Sequence, residues 1–220
     1  MDEIKDRCLI FGAGEFYGLV SPIDPQRDLL IAADGGIRHL SGLGIRADIW
    51  LGDMDSAGDF FPEEILQDEE KLEKVCSELI RLPERKDDTD IFAAVKLALE
   101  RGCSEFHIYG GMGGRFDHTM GNIKVLEYLA ERGYRGYLYD RSSLVTVIWN
   151  SAIAFPREAS GYISVFSMSD VSRGVTERGL EYELTDASLR GSDSIGVSNR
   201  FKGEESYVAV RDGKLLIILA

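Results

Sequence analysis

The residues best suited to chemistry lie together in the stretch Gly110 to His118, which reads Gly-Gly-Met-Gly-Gly-Arg-Phe-Asp-His. Residues without a Cβ let the backbone take positive φ and bring its amides close to a ligand, so Gly110, Gly111, Gly113 and Gly114 read as a cradle for an anion. Arg115, Asp117 and His118 follow at once. A simple surface turn has no need of an arginine and an acid so close behind its glycines. The stretch follows the apolar run Phe106 to Tyr109 and precedes a helical pattern from Thr119. It therefore sits where a strand hands over to a helix, the place where ligands lie in open α/β sheets. Asn122, one turn further along, faces the same way as His118 and is a candidate nucleotide or ribose contact.

Aspartates recur behind other apolar runs. Leu29 to Ala33 ends in Asp34-Gly35-Gly36, Ala47 to Leu51 ends in Gly52-Asp53-Met54-Asp55, and Ser77 to Leu82 is soon followed by Lys86-Asp87-Asp88-Thr89-Asp90. In a parallel sheet all strand carboxyl ends point to one edge, so these acids and Asp117 would share that edge. Clustered carboxylates raise one another's pKa unless a cation neutralises them. Oxygen-only ligands of this kind suit Mg²⁺, which keeps several waters and takes a few carboxylates together with substrate phosphates. The pattern predicts a magnesium site acting on a polyphosphate. Asp87 and Asp88 read equally well as solvated turn residues. Lys86 either contacts a phosphate or forms a surface ion pair, and His118 either donates to a phosphate or is simply a residue of a helix's first turn.

The elements that must position these groups alternate along the first part of the chain. Cys8 to Phe11 reads as a strand ending in Gly12-Ala13-Gly14, an incomplete dinucleotide fingerprint because its third glycine would fall at Tyr17. The runs named above, with Glu105 to Tyr109 and Tyr134 to Tyr139, supply the other strands. A helix opening at Pro62-Glu63-Glu64 and running to Leu72, and another with Ile91, Val95, Leu97 and Leu99 on its apolar face and Asp88 or Thr89 as cap, lie between them. This predicts an α/β domain over residues 1–143, a Rossmann-like three-layer arrangement around a mostly parallel sheet. From Leu144 the texture changes to short β-like runs separated by Ser, Gly, Asp and Asn, predicting an antiparallel β-sandwich over residues 144–220. Arg211-Asp212-Gly213-Lys214 reads as a hairpin turn between its last two strands.

The formal charge of −13 over 220 residues argues against nucleic acid or an anionic membrane surface as partner. A phosphate compound must then be held by local amides, a few basic groups and a metal. Cys8, Cys76 and Cys103 suggest neither a disulfide framework nor a zinc site. No apolar run approaches membrane-spanning length and the acidic N-terminus is no signal peptide, so a cytoplasmic location is expected.

Taken in order, Asp34-Gly35-Gly36, Gly52 to Ser56, Lys86 to Asp90, Gly110 to His118, Gly179 to Leu184 and Gly196-Val197-Ser198-Asn199 resemble the motifs of the thiamine pyrophosphokinase family, over nearly the whole chain. The resemblance implies an ATP-binding α/β domain, a C-terminal β-sandwich, and a homodimer with thiamine held between subunits. It implies Mg²⁺ on Asp53, Asp55 and Asp90 with Asp117 close by, and Ser198 and Asn199 at the thiamine site. A late tryptophan found in some members has no counterpart here, since Trp50 and Trp149 both come earlier.

Transfer of this type asks mainly for positioning and charge neutralisation. Mg²⁺ would bridge phosphate oxygens while Arg115 and the glycine amides hold the remainder; the thiamine hydroxyl attacks the β-phosphorus of ATP, AMP leaves, and either Asp90 or Asp117 accepts the proton. Thiamine is a cation, which the negative protein field favours. A metal-dependent phosphoesterase is the rival enzyme, disfavoured because only His39, His107 and His118 are available for a histidine-rich site. A nucleotide-sensing module is the rival without chemistry, and it has no use for so many carboxylates.

Overall fold

The computed structural model describes residues 5–54, 68–83 and 87–220. Asp55, Lys86 and residues 62–67 of the helix expected from Pro62 to Leu72 lie outside the described residues; the described part of that stretch contains the helix Glu69–Leu72. The described chain divides into two compact units, Met1–Val125 with Leu138–Arg141, and Leu126–Tyr137 with Ser142–Ala220.

In the first unit β1 (Arg7–Phe11), β2 (Asp28–Ala33), β3 (Ala47–Gly52), β4 (Cys76–Arg81) and β5 (Glu105–Tyr109) form a parallel sheet in the order β5-β1-β2-β3-β4. β1 and β2 are buried along almost their whole length, the mark of central parallel strands covered on both faces. Alternate side chains therefore enter different layers. Leu9, Phe11, Leu30, Ala32 and Trp50 pack with Ile37 and Leu40 of helix α1 (Ile37–Gly42), while Cys8, Ile10, Ile31, Ile49 and Leu51 are buried too. Helix α2 (Glu69–Leu72) precedes β4, and α3 (Asp90–Glu100) lies along β1, β2 and β3. Its buried stripe is Ile91, Ala94, Val95 and Ala98. Leu97 and Leu99, expected on that face, are only half-buried, because small alanines at helical spacing occupy the side nearest the sheet. Thr89 caps α3 by accepting from Phe92 N at 3.3 Å.

Helix α4 (Phe116–Ala130) begins one turn earlier than the sequence pattern suggests, which places Asp117 and His118 in its first turn. β6 (Arg135–Tyr139) follows it.

The second unit is a sandwich of two antiparallel sheets. One contains β7 (Leu144–Trp149), β9 (Tyr162–Ser167), β12 (Asn199–Arg200) and β14 (Lys214–Leu219) in the order β12-β9-β14-β7. The other contains β8 (Ala152–Phe155), β10 (Val171–Arg178), β11 (Leu184–Arg190) and β13 (Ser206–Ala209) in the order β11-β10-β13-β8. Ile148, Ile163, Val165, Leu215 and Ile217 from the first meet Phe155, Val175, Leu189 and Val208 from the second, the alternate inward positions of each strand. The expected hairpin at Arg211–Lys214 is instead a crossing between sheets, since β13 pairs with β8 and β10 while β14 pairs with β7 and β9. The turn residues are present, but Arg211 N and Asp212 N donate to Arg173 O at 3.2 and 3.1 Å, and that bond to a third strand turns the chain across the core.

Candidate active site

β1, β2 and β5 end side by side at Phe11, Ala33 and Tyr109, so the segments after them emerge together at the carboxyl edge of the sheet. There they enclose a cavity of about 430 Å³ lined by Gly12, Ala13, Gly14, Ala33, Asp34, residues 88–91, Gly110, Gly111, Met112, Gly114, Arg115, His118, Thr119 and Asn122. Of the residues singled out in the sequence, Asp34, Asp90, Gly110, Gly111, Gly114, Arg115, His118 and Asn122 meet in this one place. Gly35 is buried behind it, Gly113 lies in the same loop, and Asp53 follows β3 at the same sheet edge, half-buried, without lining the cavity. Asp117 is on the first turn of α4 with its side chain directed to solvent.

The glycines do more than free space for a ligand. Gly12 N donates to Tyr109 O and Gly14 N to Gly110 O, each at 2.8 Å, so the loop after β1 is sewn to the loop after β5. Gly110 has φ +63°, and a Cβ there would lie 2.4 Å from Gly12 O. A Cβ on Gly14 would lie 2.6 Å from Gly110 O and 2.7 Å from Met112 O. Both are backbone contacts, which no rotamer change relieves. The incomplete fingerprint Gly12-Ala13-Gly14 is thus half of the cradle. Its holding residues were not legible as such: Arg38 donates to Ala13 O and to Gly14 O, the latter at 3.2 Å, and the His39 ring contacts Gly14 O through Nε2 at 2.9 Å. With those carbonyls drawn away to α1, the loop presents its other side to the cavity. Burial lowers the His39 pKa. Asn122 works in the same way on the facing loop: its buried Nδ2 donates to Gly111 O at 2.7 Å, a use of the side chain different from the expected ribose contact.

Three carboxylates, Asp34, Asp88 and Asp90, line the cavity, and Oδ1 of Asp34 and of Asp90 is buried. Asp34 has φ +50°, a left-handed backbone uncommon for residues other than glycine but one that aspartate tolerates better than most. Its carbonyl accepts from Trp50 Nε1 at 3.0 Å, which helps hold it there. Asp88 is paired with Lys96 at 2.6 Å. Among the described residues no three His, Cys, Asp or Glu side chains converge to ligate one ion directly. Hard carboxylate donors in this number fit a cation held as magnesium commonly is, by one or two carboxylates with waters and phosphate oxygens. Arg115 forms a two-pronged pair with Asp117, Nε to Oδ1 at 3.2 Å and Nη2 to Oδ2 at 2.6 Å. The arginine, together with the His118 amide, holds the Asp117 carboxyl below its usual range. At 74% and 64% side-chain exposure the pair is weakly held, leaving the guanidinium ready to turn to an anion.

Ser198 and Asn199 belong to the second unit. Ser198 is exposed with φ +60°, its amide donating to Ser164 Oγ at 3.0 Å. Asn199 is 5% exposed and fully engaged. Its Oδ1 accepts from Tyr182 N at 3.0 Å and Arg200 N at 2.9 Å, and its Nδ2 donates to Tyr182 O at 2.6 Å and Glu177 Oε2 at 2.9 Å.

A parallel sheet with a glycine-and-carboxylate cavity at its carboxyl edge, in a chain that also forms a β-sandwich, defines a two-part phosphate-handling protein. Residues 23–138 match the model of the thiamin pyrophosphokinase catalytic domain, and residues 150–215 match that of the thiamin pyrophosphokinase vitamin B1 binding domain. The chain belongs to the thiamine pyrophosphokinase family. It is similar to the thiamine pyrophosphokinase of Bacillus subtilis, at 26% identity over 88% of this chain and 87% of that protein, and to thiamine pyrophosphokinase 1 of rice, at 29% identity over 78% of this chain and 65% of that protein. Among solved structures it superposes on the Bacillus subtilis enzyme with a TM-score of 0.84 at 23% identity, covering 97% and 98% of the two chains. The yeast enzyme gives 0.73 at 17% identity, covering 98% of this chain and 86% of that one.

Proposed function

We propose that this chain transfers the diphosphoryl group of ATP to the hydroxyl of thiamine, giving thiamine diphosphate and AMP. The observation that carries this reading is the cavity in which two glycine loops, three carboxylates and Arg115 meet at the carboxyl edge of the parallel sheet. The glycine amides of Gly110, Gly111, Gly113 and Gly114, with Arg115 and His118, bind the phosphate chain. Asp34 and Gly35 take the remainder of the nucleotide, and Asn122 holds Gly111 in position. Asp53, Asp55 and Asp90 are the residues to hold Mg²⁺, which when bound neutralises charge on the phosphate oxygens.

The protein's part in the transfer is placement and charge compensation. Arg115 swings from Asp117 to the phosphates, and the fixed amides offer donors whose orientation is already set before the substrate arrives. The thiamine hydroxyl attacks the β-phosphorus and AMP departs with the bonding electrons. Its proton passes to a carboxylate. Asp90 lines the cavity and suits this task, whereas Asp117, while held by Arg115, is a weak acceptor. Ser198 and Asn199 serve the thiamine side, the first by its exposed hydroxyl, the second by shaping the backbone around it. A homodimer, magnesium dependence and a cytoplasmic location go with this reading; no helix of the described residues is long and apolar enough to cross a membrane.

The test is turnover of the purified protein with ATP, Mg²⁺ and thiamine, separating AMP from ADP and inorganic phosphate. AMP formed in step with thiamine diphosphate is expected. Phosphate release independent of thiamine would replace this reading with a phosphoesterase, and ATP binding without turnover would replace it with a sensor.

A further inference from the structure

The sandwich interior holds a charged residue where alternation calls for an apolar one. On β10 the inward positions run Val175, Glu177, and Glu177 stands opposite Val208 of β13 with 1% of its surface exposed. Its Oε1 has no hydrogen-bond partner among the described residues, and neither has Oγ of buried Ser206, diagonal to it on the same face. The single bond its side chain makes is through Oε2, to Nδ2 of Asn199 across the core. Burying a carboxyl for one hydrogen bond is unfavourable, and apolar side chains of similar volume in place of both members of the pair would be as stable or more so. Such a group persists in a core when it specifies something that an apolar residue cannot.

What Glu177 specifies is the orientation of one carboxamide. With Nδ2 directed to Glu177, the Asn199 side chain presents Oδ1 to the amides of Tyr182 and Arg200 and its second N–H to Tyr182 O. The Gly179–Glu183 turn is further closed by Gly179 N on Glu183 Oε1 at 3.0 Å and by Glu181 N on Arg200 O at 2.9 Å. Those bonds fix two adjoining pieces of surface, the exposed Tyr182 and the Ser198 bend. A flipped or loosened Asn199 would set the Tyr182 carbonyl against the Asn199 oxygen and release both.

We propose that Glu177 is a positioning residue for the thiamine-binding surface, acting through the Asn199 carboxamide on the Tyr182 turn and the Ser198 bend; this rests on the thiamine reading given above. Glu177→Met keeps the volume and removes the acceptor, and Glu177→Gln keeps an acceptor without the charge.

The experiment measures kcat and KM for thiamine and for ATP in the full-length enzyme, with thermal midpoints and hydrogen exchange of the Tyr182 and Arg200 amides. Glu177→Met is expected to fold with a lower midpoint, because it leaves a buried Asn199 N–H without its acceptor, to speed exchange at those amides, and to raise the thiamine KM by roughly tenfold with the ATP KM within about twofold. Glu177→Gln is expected to restore the parent KM values and exchange rates. Unchanged exchange in Glu177→Met overturns the clamp. Accelerated exchange with an unchanged thiamine KM overturns its link to the substrate. Should the parent protein itself not turn over thiamine, the function reading fails with that link, and the exchange data alone decide the clamp. If Glu177→Met does not fold, Glu177→Asp, which keeps the carboxyl but withdraws it from Asn199 Nδ2 by one methylene, is read by the same measurements with the same expected loss.

Discussion

Replacing Gly110 by alanine tests whether the two glycine loops act as one cradle. The new methyl would sit 2.4 Å from Gly12 O, a backbone atom, on a residue whose φ is +63°. Left-handed backbone costs a non-glycine residue about 1–2 kcal/mol. Moving the Gly12 loop away weakens its bonds Gly12 N to Tyr109 O and Gly14 N to Gly110 O, both 2.8 Å. Each is worth about 0.5–1.5 kcal/mol net, so with the backbone strain the total is about 2–5 kcal/mol. For a chain of this size that lowers the thermal midpoint by roughly 4–20 °C. Because the lost bonds are those that aim the cradle, the ATP KM should rise by about tenfold or more, the equivalent of ~1.4 kcal/mol. Gly121→Ala is the control, since it does not line the cavity, a Cβ there meets nothing within 4 Å and its φ is ordinary. The assays are differential scanning calorimetry and steady-state kinetics with ATP varied at saturating thiamine. Gly110→Ala with the parent midpoint and parent ATP KM would refute the cradle, and equal losses in Gly110→Ala and Gly121→Ala would refute the argument from geometry.

Asp90→Asn and Asp53→Asn should each lower Mg²⁺-dependent kcat by about 100-fold or more with circular dichroism unchanged, and full activity in either would remove that residue from the site. Arg115→Ala should raise the ATP KM by roughly 10–100-fold, the range for a hydrogen bond to a charged group, while its exposed pairing with Asp117 predicts no measurable change in thermal midpoint; a large midpoint shift would contradict this. Burial holds the Glu177 carboxyl above the ordinary glutamate range, against the smaller opposing effect of the Asn199 bond. The unfolded chain ionises there first, so the parent loses stability as pH rises from that ordinary range toward the raised folded value. Glu177→Gln lacks this dependence, and its midpoint relative to the parent should climb as pH rises above the ordinary glutamate range; a constant difference would place Glu177 in contact with a counter-charge.

Central strands were readable because they are buried on both faces, and continuous runs such as Leu29 to Ala33 leave little choice of structure. The glycine stretch was readable as the lining of a cavity because glycines behind a strand leave the backbone open at the sheet edge. What escaped was the set of residues acting at a distance in the chain. β1 neighbours β5, not only β2, and nothing local in Gly12-Ala13-Gly14 announces a partner near residue 110. Arg38 and His39 reach back more than twenty residues to hold that loop, and a helical arginine and histidine have no signature for such a task. Asn122 was placed on the correct helix face, but whether it meets a ligand or a carbonyl depends on how far Gly111 approaches, which periodicity does not encode. In the sandwich, the turn chemistry at Arg211–Lys214 was correct while the sheet partners were not, because the crossing depends on bonds to Arg173.

Trp50 carries a consequence for observing this protein at work. It is fully buried, its indole N–H is bonded to the carbonyl of cavity-lining Asp34, and the other tryptophan, Trp149, stands 40% exposed in the second unit. The chain thus holds two native fluorophores of opposite character. Acrylamide would quench Trp149 more strongly than buried Trp50, so the residual emission is weighted toward Trp50 and its bond to Asp34. A ligand that shifts Asp34 is then expected to change that residual emission, which stopped-flow reads in real time without label or coupled assay.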